Sequence, residues 1–348
     1  MKRRTLLTAV PAAVLLAACG DRATDLFQRR VYTFGSWVDL SFFGVAPAKA
    51  ERVAARLEAE LSFMNQAWHA WKPSVVEDVN ARLRAGTPFP APEAVLPLIT
   101  QCKTLYRQSD GLFNPAMGRL IRRWGFHSDK SWEDREPPSP AEIAALLAHE
   151  PTMDDVELDG TTLVGHNDQI SLDFGGFAKG YGLNQLAAIL RQEGVPNALV
   201  SATSSIVALG RHGDRPWRVA IRHPRQEGAV LAWLELGDGE SVSTSGDYER
   251  YFIHQGRRYH HIIDPRTGYP ATGAQAVTAL YREGVVPDAG STALMVAGPT
   301  GFARISRQLG LDAALMVDAE GRLLITEALR PRLHFPGNQP PPEREIPA

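Results

Sequence analysis

The sequence is poor in the residues on which several common kinds of site depend. Its 348 residues include two cysteines, Cys19 and Cys102, which excludes a disulfide scaffold and any zinc or iron–sulfur site with several cysteine ligands. Basic residues are not in excess, since 37 Lys+Arg stand against 39 Asp+Glu, and this argues against a general nucleic-acid-binding protein. The chain has no Walker-type glycine-rich loop, no Gly-x-Gly-x-x-Gly motif and, beyond its start, no apolar run of transmembrane length. What remains is an ordinary globular composition, 44% hydrophobic and 22% charged.

The first residues predict an export signal that ends at a lipid attachment site. Met1-Lys2-Arg3-Arg4 is a basic start, and Thr5 to Ala18 is an apolar stretch that is short for a bilayer span. Leu16-Ala17-Ala18-Cys19 resembles a bacterial lipobox, in which the cysteine is lipidated, and the paired arginines resemble a twin-arginine signal. The alternative is an ordinary secretory signal with Cys19 near its cleavage site. We expect residues 1–18 to be removed, residues 19–30 to be a tether, and the protein to be lipid-anchored on the periplasmic side of a bacterial membrane.

The remaining chain predicts one two-lobed α+β domain over residues 31–330, with mixed, largely antiparallel sheets and flanking helices. Helices and strands occur in separate groups more than they alternate, which is typical of this class. A strand interrupted at Gly35 is predicted over 31–43, and strands dominate 197–286. Residues 331–348 form a Pro-rich tail that we expect to be disordered or loosely packed. Helices are predicted over 48–71, 91–107, 140–149, 177–193, 288–296 and 300–309, an exposed loop over 128–140, and a hairpin from 313–317 and 323–326.

Two stretches could bind a ligand through backbone and hydroxyl groups. From Asp173 to Gly180 a carboxylate is followed by a Gly-Gly turn and a helix start, which with Lys179 in the first turn would suit a phosphate. The alternative is a tight strand–helix connection that Asp173 helps to cap. Ser243 to Tyr248 is dense in hydroxyls, and a polar hairpin turn explains it equally well.

Two further stretches could supply a base and a metal site. His260 and His261 are adjacent, so on a strand they point to opposite faces and at most one of them serves a site near Asp264. The alternative is one exposed and one core histidine ahead of a turn. Asp288 and Thr292 are four apart and share a helix face, where their oxygens would suit Mg²⁺ or Ca²⁺. Alternatively, Asp288 is an ordinary helix N-cap with Thr292 packed behind it.

Taken in order, these stretches resemble the motifs of the ApbE family, the FAD:protein FMN transferases. The resemblance covers about residues 31–330. It rests on Phe34-Gly35-Ser36, Phe113 to Gly118 with Trp124-Gly125-Phe126, Asp173 to Gly180, Ser243 to Tyr248, His261 to Gly268, and Asp288 to Ala293. Members of that family bind FAD with Mg²⁺ and move its FMN half, through a phosphodiester bond, onto a threonine or serine of an acceptor flavoprotein, with release of AMP. The resemblance implies an acceptor in an exported or membrane-bound respiratory system.

The resemblance also implies roles for particular residues. His261 would be the base that takes the proton of the acceptor hydroxyl. Mg²⁺ would be held by the side chains of Asp288 and Thr292 and the carbonyl of Gly176, with Ser291 as a further contact. FAD would be bound by Asp173 and Lys179 and lined by Phe34, Trp71, Leu112, Phe113, Asn114 and Ile262.

The chain departs from the family pattern at three places. Asn114 and Ala116 replace an aspartate and a threonine, Ala202 to Ser205 replace a Gly-Gly-Asp, and Trp71 to Ser74 match an early Ser-Glu pair poorly. These departures concern FAD binding and the choice of acceptor.

Two alternative functions are hydrolysis of FAD to FMN and AMP at the same metal site, and flavin binding without chemistry. A pure flavin-binding lipoprotein would not need His261, Asp288 and Thr292.

Overall fold

The computed structural model describes residues 25–127 and 135–338, together with Pro342, Glu343 and Ile346. The predicted signal, Cys19, residues 128–134 of the predicted loop and the rest of the tail lie outside the described residues. The strands are β1 (Leu26–Thr33), β2 (Ser36–Phe43), β3 (Phe89–Pro90), β4 (Val156–Asp159), β5 (Thr162–Gly165), β6 (Ala198–Ala202), β7 (Ser205–Leu209), β8 (Trp217–Arg222), β9 (Val230–Leu236), β10 (Ser241–Gly246), β11 (Tyr251–His254), β12 (Arg257–His260), β13 (Ala274–Tyr281), β14 (Ala313–Asp318), β15 (Leu323–Ile325) and β16 (Leu333–His334). The α-helices are α1 (Pro47–Ala67), α2 (Val75–Ala85), α3 (Leu96–Gln108), α4 (Gly118–Trp124), α5 (Pro140–Leu147), α6 (Ala178–Gln192) and α7 (Val285–Gln308).

An eight-stranded antiparallel sheet forms the centre of the fold, in the order β1-β2-β6-β7-β10-β13-β14-β15. Smaller antiparallel sheets form from β16-β9-β8, from β3-β5-β4 and from the β11–β12 hairpin. Helices α1, α6 and α7 pack on one face of the central sheet, and α7 lies across β10 and β13. The prediction of an α+β fold with largely antiparallel sheets is therefore confirmed.

Strand β13 shows how the sheet separates two hydrophobic cores. Alternate side chains of a strand face opposite sides, so Val277 and Ala279 join the helix-side core whereas Ala276 and Leu280 join the core beneath β8 and β9. This strand is buried on both faces, and its sequence therefore lacks the polar alternation that would have predicted it.

A third core fixes the β11–β12 hairpin. The ring of Trp124 in α4 stacks on Tyr259 with centroids 5.6 Å apart, and Tyr259 stacks on Phe252 at 5.2 Å. The Trp124 indole N–H also donates to the carbonyl of Gly268 at 2.8 Å. Burial of such aromatic side chains contributes about 1.5–3 kcal/mol each. The hairpin is a short two-stranded unit, so this packing against α4 is what holds its base in place.

Several boundaries differ from the sequence predictions. Strand β1 begins at Leu26, inside the range predicted as a tether, and residues 31–43 are part of a hairpin rather than one interrupted strand. Its turn residues Phe34 and Gly35 have φ of 51° and 68°, as a two-residue type I′ turn requires. The described part of the tail is also packed, since β16 pairs with β9 and the amide of Leu323 donates to the carbonyl of Pro342 at 2.8 Å.

The helix predictions hold for α1, α3, α5, α6 and α7, with ends shifted by a few residues. The predicted gap between 296 and 300 is a kink at Gly298, where φ is 64°, inside a helix that runs on to Gln308. Helix α2 was not predicted, although Ser74 caps it by accepting from the Glu77 amide and Gly86 ends it in the left-handed region. The hairpin of β14 and β15 is confirmed. Among the described residues, no helix combines the length and apolarity needed to cross a membrane.

Candidate active site

Asp288 lies in the first turn of α7 and is held by two groups distant in the sequence. Its Oδ2 accepts a hydrogen bond from the Gly180 amide at 2.7 Å, and its Oδ1 accepts one from the Ser205 hydroxyl at 3.1 Å. Burial raises the pKa of this carboxyl, whereas the Lys179 charge and the two hydrogen bonds oppose that rise. The N-cap interpretation of Asp288 is wrong, because α7 begins at Val285 with Gly284 as its cap.

Three hydroxyl groups cluster at the start of α7, next to the backbone carbonyl of Asp288. The Ser245 Oγ lies 2.8 Å from the Ser291 Oγ and 3.2 Å from the Thr292 Oγ1. The Ser291 hydroxyl also donates to the carbonyl of Asp288 at 3.1 Å. Ser245 belongs to the central strand β10, so the polar-turn interpretation of Ser243 to Tyr248 is wrong for the first four of these residues. The cluster exists because α7 packs directly on β10.

The segment before α6 approaches the same cluster. A Cβ atom added to Gly176 would lie 3.4 Å from the Thr292 Oγ1 and 3.7 Å from the Phe113 ring, so the glycine lies next to both. Asp173 accepts the Gly175 amide on Oδ1 at 2.8 Å, and burial raises the pKa of its carboxyl. Lys179 is the second residue of α6, as predicted.

A buried asparagine positions the segment that leads into Asp173. The Asn80 side chain accepts from the Leu172 amide at 2.6 Å and donates to the Leu172 carbonyl at 3.1 Å. Both polar groups of Leu172 are thus satisfied away from water, as buried backbone requires. The unpredicted helix α2 therefore supplies a support for the candidate site.

The two adjacent histidines have different roles in the structure. His260 is buried; its Nε2–H donates to the carbonyl of Ala271 at 2.9 Å, and its Nδ1 accepts the Ile262 amide at 3.3 Å. Both of its nitrogens are occupied, which leaves no lone pair for a substrate. His261 is half-buried and donates its Nδ1–H to the carbonyl of Arg250 at 3.3 Å. Because a carbonyl can only accept, this neutral tautomer leaves the lone pair on Nε2 of His261.

The surroundings of His261 keep its ring neutral. Burial lowers its pKa to about 3, and the neighbouring His260, Arg250 and Lys179 contribute to that shift. The ring also meets the edge of Phe126, with centroids 6.3 Å apart. At neutral pH His261 is therefore an unprotonated imidazole in a region of positive charge.

The predicted flavin-lining residues occupy more than one place. Phe34 stacks on Trp68 at 6.4 Å, and Phe113, buried beside Gly176, packs against Phe177 at 6.3 Å. Leu112 and Ile262 are buried.

The other two predicted lining residues make contacts of their own. Trp71 contacts the ring of His127 at 5.6 Å and carries the Arg122 guanidinium over its face at 5.1 Å. The Asn114 amide is used internally, since it donates to the Pro151 carbonyl at 2.9 Å and accepts the Ala116 amide at 3.1 Å. This accounts for an asparagine where the family pattern has an aspartate.

The structure thus brings Gly176, Ser291 and Thr292 together with Asp288, and places Lys179 within electrostatic range of both Asp288 and His261. The described residues contain no group of three or more His, Cys, Asp or Glu that could hold a metal ion. The candidate set is of another kind, one carboxylate with hydroxyl and carbonyl oxygens. Such hard donors fit Mg²⁺, which uses few protein ligands.

Three residues of the site were not predicted as site residues. Ser205 appeared only as a departure from the family pattern, Ser245 only within a hydroxyl-rich stretch, and Arg250 not at all. Their positions depend on strand register, for which the sequence offered no local signal. Two small residues, Thr203 and Ser204, form the turn that directs Ser205 toward Asp288, and Thr203 adopts a φ of 58°.

Comparisons with known proteins agree with this architecture. The ApbE family model matches residues 34–315. The FAD:protein FMN transferase of Rhodobacter capsulatus is 40% identical over 327 residues, which cover 92% of this chain and 62% of that protein. The chain thus spans less than two thirds of the length of that relative. The FAD:protein FMN transferase of Klebsiella pneumoniae is 30% identical over 323 residues, covering 89% of this chain and 91% of that protein.

Solved structures show the same similarity. The crystal structure of the ApbE protein of Thermotoga maritima has a TM-score of 0.80 at 28% identity, covering 88% of this chain and 99% of that chain. The apo form of the Pseudomonas stutzeri flavinyl transferase ApbE has a TM-score of 0.76 at 34% identity, covering 88% of this chain and 96% of that chain. The similarity therefore extends over most of the sequence and of the fold.

Proposed function

The chain belongs to the ApbE family, and on that basis we propose that it is an FAD:protein FMN transferase. In this reaction the hydroxyl oxygen of a threonine or serine on an acceptor flavoprotein bonds to the phosphorus of the FMN half of FAD. The P–O bond to the AMP half breaks, and AMP leaves with the bridging oxygen. The proton of the acceptor hydroxyl passes to a base.

One observation supports this proposal most directly: the charge of one cation, Lys179, acts on both the candidate base and the carboxylate of the candidate metal-binding helix. Beyond the larger effect of burial at each group, the Lys179 charge affects the pKa of both His261 and Asp288. A phosphate group bound by Lys179 would therefore lie within electrostatic range of both the base and the start of α7. That is the arrangement that phosphoryl transfer needs, because its catalysis consists mainly of positioning and charge stabilisation.

His261 would receive the proton at Nε2. Its Nδ1–H is anchored on the Arg250 carbonyl, so the ring presents its lone pair on the opposite nitrogen. The ring is unprotonated at neutral pH because burial and neighbouring cations lower its pKa to about 3. The same surroundings disfavour the imidazolium, so the proton would be released rapidly to water or to the departing AMP.

The side chains of Asp288 and Thr292, the Gly176 carbonyl and Ser291 would hold Mg²⁺. When bound, Mg²⁺ would neutralise charge on the pyrophosphate and stabilise the negative charge that develops there. Ser245 would orient the two α7 hydroxyls through its own hydroxyl, which contacts both of them. The Gly180 amide and the Ser205 hydroxyl would hold the carboxylate of Asp288 in place.

The proposed location is the periplasmic side of a bacterial membrane, with a lipid anchor on Cys19. The support is the basic start, the apolar stretch and the small residues that precede this cysteine. We propose that the acceptor belongs to an exported or membrane-bound respiratory system. Cys19→Ser should move the protein from the membrane fraction to the soluble fraction and abolish incorporation of labelled fatty acid. Unchanged labelling would contradict the anchor.

The transfer reaction can be tested with the purified domain, FAD, Mg²⁺ and an acceptor flavoprotein domain. Flavin fluorescence that stays with the acceptor on a denaturing gel, with AMP released in equal amount, supports the proposal. Free FMN and AMP without labelled acceptor would instead indicate FAD hydrolysis. FAD that is bound but unchanged would indicate a flavin-binding protein.

Two variants and one matched control complete this experiment. His261→Gln should lower the rate of transfer by about 10²–10⁴-fold, the usual contribution of a general base. Asp288→Ala should abolish transfer because it removes the only charged ligand of the proposed metal set. His254→Gln is the control: this histidine is the last residue of β11, next to the hairpin turn and away from His261, so the rate of transfer should not change.

A further inference from the structure

The arginines around the β11–β12 hairpin differ in how their charges are used. Three are paired with carboxylates, and two lie over aromatic rings. The paired ones are Arg222 with Glu249, Arg225 with Asp247 and Arg266 with Asp264; Arg257 lies over Tyr259, and Arg258 lies 3.9 Å from the Tyr251 ring centroid. Arg250 is the exception: its guanidinium has neither an ion pair nor a ring contact with the part of the chain that the structure describes. It is nonetheless half-buried.

The backbone places Arg250 directly opposite His261. In the hairpin Tyr251 pairs with His260, so Arg250 and His261 are the next opposed pair, and the His261 amide donates to the Arg250 carbonyl at 3.0 Å. Both residues lie just past the paired strands, which end at Tyr251 and His260. This hydrogen bond therefore holds the backbone of Arg250 next to that of His261 at the base of the hairpin.

The range of the Arg250 charge supports this placement. Burial raises the pKa of Asp173, and the Arg250 charge opposes that rise. At His261, burial and the neighbouring His260 lower the pKa, and the Arg250 charge lowers it further. Asp173 lies on the turn before α6, which is far from Arg250 in the sequence. The Arg250 charge therefore acts on both the turn that carries Asp173 and the candidate base.

The half-buried Arg250 guanidinium has no ion pair within 4 Å among the described residues, so its donors are available to an anion. Its planar fork matches the oxygens of a phosphate and forms paired, charge-assisted hydrogen bonds with them. Lys179 is the second cation beside His261 and likewise has no ion pair among the described residues. A group with two phosphates would thus have two cations available to it.

We propose that Arg250 binds the phosphate of the FMN half of FAD, the one that is transferred, while Lys179 serves the pyrophosphate on the side of α7. This inference rests on the proposed function and names a substrate-binding residue for it. Arg250 neutralises the non-bridging oxygens of that phosphate next to the Nε2 of His261. It thereby holds the phosphorus where the acceptor hydroxyl loses its proton.

The test measures binding of flavins without acceptor and with EDTA in place of Mg²⁺, so that it does not depend on turnover. Flavin fluorescence gives the affinities for FAD and for riboflavin, which has no phosphate. Arg250→Gln should weaken FAD binding about 10- to 100-fold, the range for hydrogen bonds to a charged group, and leave riboflavin binding unchanged. Arg250→Lys should recover part of the FAD affinity because it keeps the charge but loses the fork.

Arg257→Gln is the matched control, since this arginine lies on the same hairpin over Tyr259 and should leave both affinities unchanged. Wild-type FAD affinity in Arg250→Gln would overturn the proposal. An equal loss of FAD and riboflavin binding would also overturn it, because it would indicate a structural role. If the wild-type chain binds FAD but transfers no FMN, the proposed function fails while these affinities still decide the role of Arg250.

Discussion

The contact between α6 and α7 depends on a glycine, and replacing it should separate the two helices. A Cβ atom at Gly180 would lie 2.1 Å from the carbonyl oxygen of Gly284 and 2.7 Å from the Cβ of Asp288. Both are backbone or near-backbone atoms, so no rotamer change can relieve the overlap. Gly180→Ala would require the helices to move apart by about 1 Å, which a close-packed interior resists.

The cost has two parts that act in the same direction. Overpacking of this kind destabilises by about 1–3 kcal/mol. Movement of α7 would also stretch the 2.7 Å hydrogen bond from the Gly180 amide to the Asp288 carboxylate. A hydrogen bond to a charged group contributes about 1.5–3 kcal/mol to stability. The better helix propensity of alanine returns about 1 kcal/mol. We expect a net loss of roughly 2–4 kcal/mol in the free energy of unfolding.

Gly182→Ala is the matched control on the same helix. There the added Cβ would meet the Met64 Sδ at 3.2 Å and the Trp68 ring at 3.8 Å, and a methionine side chain can adjust. This variant should stay within about 1 kcal/mol of wild type. Thermal unfolding followed by circular dichroism should give a midpoint roughly 4–8 °C lower for Gly180→Ala. Midpoints for the two variants within about 1 °C of each other would refute the close approach of α6 and α7.

Three further changes test the site and its surroundings. Ser245→Ala should weaken Mg²⁺ binding about 10- to 100-fold, measured as protection against heat unfolding, whereas Ser243→Ala on the same strand should not. The pKa of His261 is about 3 in the folded state and 6.5 ordinarily, so between these values the unfolded chain binds more protons and stability falls as the pH drops. His261→Gln should therefore reduce the difference between the denaturant midpoints measured at pH 7.5 and at pH 5. An unchanged difference would contradict the lowered pKa of His261. Burial raises the pKa of Glu150 to about 7, so the protein loses stability as the pH rises from 4.5 to 7. Glu150→Gln should therefore stabilise the protein at pH 8 but not at pH 4. Equal effects at both pH values would contradict the raised pKa of Glu150.

The local elements that carry the motifs were predictable because their signals are local. Helical spacing identified α1, and the helix start after the Gly-Gly turn identified α6. The separate grouping of helices and strands indicated the α+β class, and the order of the motifs identified the family. Helix α2 was missed although Ser74 and Gly86 mark its ends, whereas two other features lack a local signal. Strand β13 is buried on both faces, so its pattern does not alternate, and Phe34-Gly35 forms a hairpin turn that the sequence pattern presented as an interruption.

The amino-acid sequence by itself determined which chemical groups are available: one carboxylate and two hydroxyls on α7, a lysine at the start of α6 and a pair of histidines. Only the tertiary structure decided how they are used. His260 is occupied by the Ala271 carbonyl and the Ile262 amide, so His261 is left as the candidate base. Asp288 is held by Gly180 and Ser205, which are 108 and 83 residues away. Such contacts follow from strand register and helix packing, and a one-residue slip in register would turn each side chain to the opposite face.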